Sequence, residues 1–252
     1  MEWYIFLLVV AIGIISGFIN TLAGSGSLVS IVMLIFLGLP PNVANGTNRI
    51  AILMQNIVGV ASFKKQKVFE WKEGIYLSIP ATIGAAIGAL SAISLKNNIM
   101  EIVIAIILLF MLVILIVKPD TWIKGQAGKF KEKPSFWQII IFFFIGLYGG
   151  FIQAGVGFFL LAGLVLSAGF NLVKANAVKV FIVLMYIPIT LAIFAYSGQV
   201  NYLFGIVLGT GNMLGAFLAT KVATKWGPQF IRYFLIVIIF GSALKLLIDN
   251  VF

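Results

Sequence analysis

The chain has 252 residues, 62% of them hydrophobic and only 10% charged, where a soluble domain carries about 25% charged residues. It has 17 basic and 7 acidic residues, for a net charge of +10, and neither cysteine nor histidine. These figures exclude a soluble globular enzyme, disulfides, thiolate chemistry and imidazole metal sites, and the basic excess reads as orientation signals in membrane loops rather than a nucleic-acid surface.

The first apolar segment, 4–22, follows Met1-Glu2 without a basic leader or a small-residue cleavage site. It therefore reads as a retained span. Its end runs into Asn20-Thr-Leu-Ala-Gly-Ser-Gly-Ser-Leu-Val-Ser30, a polar interruption in an otherwise lipid-soluble sequence. The second segment, 28–39, is only about 18 Å of helix against a hydrocarbon core of about 30 Å. A polar cluster, Pro40-Pro-Asn-Val-Ala-Asn-Gly-Thr-Asn-Arg49, joins it to a short third segment, 50–63. Segments 74–95 and 99–117 follow; the latter is long and continuous enough to cross a bilayer, which rules out alternating barrel strands.

A basic stretch, 118–135, separates these from five further segments at 136–153, 158–170, 180–196, 205–223 and 231–248. Many positions repeat 131 residues later. Gly24-x-Gly26 matches Gly155-x-Gly157, Ala44-Asn45 matches Ala175-Asn176, and Gly84-Ala85 matches Gly215-Ala216. The expected organisation is a first transmembrane repeat (1–117), a cytoplasmic linker (118–135) and a second repeat (136–252). Charge decides the orientation. Five crossings per half put 14 of the 17 basic residues inside, with Arg49, Lys96 and Lys245 outside. Four crossings per half split them 10 against 7, so the positive-inside rule favours odd, inverted halves with both termini outside. The sequence thus predicts an all-α polytopic membrane protein of about ten short or full spans, built as two inverted five-span repeats with broken or re-entrant helices.

Short spans mean that the polar segments between them dip into the membrane, where irregular backbone survives only against protein or a wet cavity. The candidate site gathers the two glycine loops and the two asparagine-bearing junctions. From the first half it takes Asn20, Gly24, Ser25, Gly26, Asn45, Thr47, Asn48 and Arg49; from the second, Gln153, Gly155, Gly157, Asn176 and Lys179. Glycine allows the break, and N–H groups at the following helix start attract anions. Gln55, Asn56 and Thr190 add donors. No acid lies near Arg49 or Lys179, so an anionic substrate is the expected partner of these cations. Arg49 has a second reading, a snorkel to the outer interface, and Gly84 and Gly88 read as helix packing. No buried carboxylate suggests a cation site; no catalytic residue, metal or cofactor is expected, and the protein does not read as an enzyme. The expected partners are a small anion and the lipid bilayer, with no nucleic acid and room for a homodimer. Rival readings are a passive anion channel and a non-transporting membrane assembly factor.

Gly17-x6-Gly24-x-Gly26, Leu37-Gly-Leu-Pro-Pro-Asn-Val-Ala-Asn-Gly-Thr-Asn48, Tyr148-Gly-Gly-Phe-Ile-Gln-Ala-Gly-Val-Gly157 and Lys174-Ala-Asn-Ala-Val-Lys179 together resemble the TauE/SafE-type sulfite exporter family over nearly the whole chain. The resemblance implies a prokaryotic-type inner-membrane carrier exporting sulfite, sulfonates or related organosulfur anions. Two departures stand in the first loop. Serines alternate with glycines where the family often has three or four glycines, and Ile31 stands near where a proline is common.

Overall fold

The computed structural model describes residues 3–68, 71–100, 102–104, 106 and 134–225, and these are helical with short connections. The expected spans 99–117 (beyond its first turns) and 231–248, and nearly all of the 118–135 linker, lie outside the described residues. The first half holds α1 (Trp3–Ala23), α2 (Gly26–Phe36), α3 (Pro41–Lys65) and α4 (Trp71–Ile93), and a further helix begins at 97. The second holds α5 (Phe136–Phe151), α6 (Val156–Ala162, continued by a π-helical turn Gly163–Ser167), α7 (Leu172–Tyr196) and α8 (Tyr202–Lys225). Four of these, α1, α4 from Gly74, α7 and α8, are long and apolar enough to cross a membrane.

Two expected boundaries are corrected. The third segment starts at Pro41, not at residue 50, and the counterpart in the second half starts at Leu172, not at 180. The polar clusters are therefore the first turns of long helices rather than loops. Pro41 at the first helical position needs no N–H partner, and Asn171 caps α7 by accepting from the Lys174 N–H at 2.9 Å. Hydropathy hid these turns because their polar side chains are buried against protein instead of lipid.

Contacts along the helices fix their directions. Gly13 lies against Gly211 and Gly215 against Phe18, so α1 and α8 run parallel. Gly205 meets Ile50 and Thr220 bonds Ser62, so α3 runs with them. Gly84 meets Leu147 and Gly88 meets Phe151, which makes α4 and α5 parallel to each other. Gly46 of α3 lies against Phe194 while Gly59 lies against Val180, so α3 and α7 are antiparallel. At α4's far end, Leu95 accepts from Asn42 and Ile93 from Gln199, beside the start of α3 and the end of α7. Two bundles result: α1, α2, α3 and α8 in one, α4, α5, α6 and α7 in the other. Among the described helices α1 to α8, each takes three from one half and one from the other.

The first two helices of each half form a hairpin that turns back at mid-depth. Asn20 near the end of α1 sits beside Gln55, ten residues, or about 15 Å, short of α3's end at Lys65. Gln153, just past α5, sits beside Tyr186, the same ten residues short of Tyr196. The two hairpins enter from opposite ends of the molecule. Their contacts also show a register change: Gly17 packs on Asn212 as Gly146 packs on Ala81, so α1 and α5 correspond at 129 positions while the later helices keep 131. Two extra residues in the second turn, 152–155 against 24–25, account for the difference.

Candidate functional site

The two hairpin tips touch. Gly24 and Gly155 both adopt left-handed backbone, at φ +79° and +72°, so each chain reverses without a side chain in the way. A Cβ on Gly24 would overlap the backbone of Gly157, and one on Gly157 would overlap Gly24. Ser27, in the first turn of α2, donates to the Gln153 carbonyl at 3.0 Å and accepts from the Gly155 N–H at 3.3 Å. Ser27 thus takes the N–H of Gly155 itself; the N–H groups expected to face a solute are those that follow it, at the start of α6.

Each tip is where one helix ends and another begins, so it presents unpaired carbonyls and unpaired N–H groups at membrane depth. The carbonyls are met by cations. Lys179 Nζ donates to the carbonyls of Asn20 at 2.9 Å and Thr21 at 2.7 Å, and to Asn176 Oδ1 at 2.8 Å. An ammonium has three N–H bonds, so its donor capacity is used. Arg49 reaches the end of α5 in the same way. Nη2 donates to the Gly150 carbonyl at 2.6 Å and to Asn45 Oδ1 at 3.4 Å, Nη1 reaches the Gly149 carbonyl at 3.5 Å, and the guanidinium lies 4.3 Å from the Phe194 ring centroid. In the register of the first helices, Asn20 and Thr21 correspond to Gly149 and Gly150. Each half supplies the cation that caps the other half's hairpin. Arg49 is fully buried, which excludes the snorkel reading, and the partners expected to be an anion are helix-end carbonyls in this arrangement.

The remaining expected residues fall into place around these caps. Asn45 Nδ2 donates to the Phe151 carbonyl at 2.9 Å, and Gln153 pairs with Tyr186 Oη. Ser25 precedes α2 without a side-chain capping bond, and Gly26 accepts from Ser16 Oγ at 2.8 Å. Asn48 is wholly buried, and neither end of its amide has a partner among the described residues. Thr47 is turned elsewhere, accepting from the Asn201 N–H at 2.8 Å at the start of α8, and Asn56 and Thr190 donate to carbonyls of their own helices, Ile52 at 2.7 Å and Ile187 at 3.1 Å. Sequence reading missed Asn212, buried in α8, which donates to Gln55 Oε1 at 3.2 Å alongside Asn20 Nδ2 at 3.2 Å. The signal was present: an asparagine inside an apolar span marks either a packing contact or a polar path, and its counterpart in the other half is Ala81. Among the described residues no cluster of acids could hold a metal ion.

Comparison with known proteins places the chain among membrane transporter sequences. Residues 9–246 match the family model described as sulfite exporter TauE/SafE. A probable membrane transporter protein, ORF9, from a Sinorhizobium species is 27% identical over 235 residues, covering 93% of this chain and 89% of its own. A probable membrane transporter protein of Haemophilus influenzae is 26% identical, with coverage of 95% and 93%. The probable membrane transporter protein YfcA of Escherichia coli K12 is 25% identical, with coverage of 95% and 88%. No solved structure matches the chain. With the family model matched across almost its full length, this chain belongs to the sulfite exporter TauE/SafE family.

Proposed function

We propose that this membrane transporter is a secondary carrier that exports a small anion of the sulfite, sulfonate or related organosulfur class. The observation that carries the reading is the reciprocal capping at the tips. A helix C-terminus is the negative end of its dipole and a helix N-terminus the positive end. Lys179 and Arg49 offset the negative ends of α1 and α5, so the field left at the tips is that of the helix starts and favours an anion. Ser25, the first N–H groups of α2 and Asn48 are the groups assigned to the solute, while Asn45, Asn176 and the two cations hold the hairpins that carry it. Gln153, Gly155 and Gly157 shape the second tip. Two inverted repeats that meet at mid-depth suit alternating access, and the reading gives the chain no catalytic chemistry. The face bearing Lys64, Lys65, Lys174 and Lys225 is assigned to the cytoplasm of an inner membrane, with the termini outside.

Anion-dependent thermal stabilisation of the purified protein tests this, since a ligand that binds only the folded state raises the melting temperature. Sulfite or a small sulfonate is expected to stabilise it more than equal concentrations of chloride, and reconstituted vesicles are expected to show saturable counterflow of the same anion. No shift with any oxyanion sinks the proposal. Unsaturated current in place of counterflow selects the channel. Full activity of cells carrying Asn48→Ala and Lys179→Ala selects an assembly role.

A further inference from the structure

Asn48 stands out among the buried polar groups of the bundles. It is 0% exposed, yet neither Nδ2 nor Oδ1 has a hydrogen-bond partner among the described residues. A buried amide left in that condition is costly, and native structures keep few such groups without a reason. Its position gives the reason. One turn earlier on the same face of α3, Asn45 bonds the last carbonyl of α5. Two turns later, Gln55 receives the amides of Asn20 and Asn212. Asn48 therefore lies on α3 between the places where the two hairpins end. Its counterpart 131 positions on is Lys179, whose three N–H bonds are all accepted. Of this matched pair, one member is saturated by protein and the other has no partner among the described residues.

A carboxamide always offers a donor group, its NH2, and an acceptor, its carbonyl oxygen, whichever way its ends are assigned. A fully ionised oxyanion without further groups brings acceptors only. It would satisfy the Asn48 N–H and leave the carbonyl oxygen unpaired. We infer that Asn48 reads a donor on the solute, so that the preferred anion carries its own O–H or N–H beside its negatively charged oxygens. This rests on the anion-carrier reading and narrows its substrate class to hydroxylated, aminated or protonated oxyanions.

The probe is a matched pair, ethanesulfonate and 2-hydroxyethanesulfonate, equal in charge and differing by one hydroxyl. Affinities come from thermal shift titrations of purified full-length protein, with vesicle counterflow as a second readout. The wild type is expected to bind the hydroxylated sulfonate on the order of tenfold more tightly, the cost of leaving one buried acceptor unpaired. Asn48→Leu is expected to bind both members equally. Equal affinity in the wild type, or the same preference retained in Asn48→Leu, overturns the inference while the carrier reading stands. If neither sulfonate binds and no other oxyanion does, both fall together. The wild-type comparison decides even if the variant fails to fold.

Discussion

Lys179 and Asn48 occupy matching places in the two halves and do opposite kinds of work, which mutagenesis can separate. Replacing Lys179 by Met strips the partner from the Thr21 carbonyl and from Asn176 Oδ1, both buried, while the Asn20 carbonyl keeps the Gly24 N–H at 2.9 Å. Orphaning buried acceptors costs about 1–3 kcal/mol each, so Lys179→Met is expected to lose at least about 2 kcal/mol of stability. Asn48→Leu removes an amide that has no partner among the described residues, and its stability is expected to stay level or rise, while transport falls. Melting temperatures in detergent, read beside counterflow, check the pair. Equal destabilisation by both would make Asn48 a structural residue. The cations themselves were legible in the sequence as buried charge without an acid. Their partners were not, because a helix-end carbonyl is a property of where the backbone stops, and no residue letter marks it. Asn212 is hard to read from the sequence for a related reason: its counterpart in the other half is Ala81, so the repeat does not mark it.

At the scale of elements, the hairpins depend on two backbones crossing without side chains. Gly24→Ala adds a Cβ where the Gly157 backbone already lies and forces an alanine into left-handed backbone. Gly38 is also left-handed, at φ +90°, but nothing lies within 4 Å of where its Cβ would stand. Gly38→Ala is expected to cost only the backbone term, about 1–2 kcal/mol, whereas Gly24→Ala is expected to abolish the folded peak in detergent size-exclusion chromatography. Similar behaviour of the two variants would mean that the tips do not touch in the membrane. The Gly-x-Gly spacing announced the breaks and the short helices after them. The start of α3 escaped notice because apolar runs report lipid exposure, and its first turns face protein with Asn42, Asn45, Asn48 and Arg49 all buried. The two-residue register change also escaped, since the matching letters begin only at Gly24.

Over the whole molecule, the bundles cross the halves: α8 packs with α1 and α3, and α4 with α5 and α7. Among the described residues the contacts between bundles include the glycine tips, α3 on α7, the bonds of Asn42 and Asn45 to Leu95 and Phe151, and the two cation caps, each reaching from one bundle to a hairpin of the other. A bundle that rocks must break or reshape those caps, which couples the charge at the tips to the direction of access. Such an arrangement requires that the ends of α3 and α8 share one side of the membrane and that the end of α4 lies on the other. The chain has no cysteine, so each introduced thiol is the sole label. Lys65, Lys225 and Asn97 are all exposed. Asn97→Cys is expected to react with a membrane-impermeant maleimide in intact cells, and Lys65→Cys and Lys225→Cys only after permeabilisation. Labelling of Lys65→Cys and Lys225→Cys from opposite sides would separate α3 from α8, and with them the bundle that carries the first hairpin.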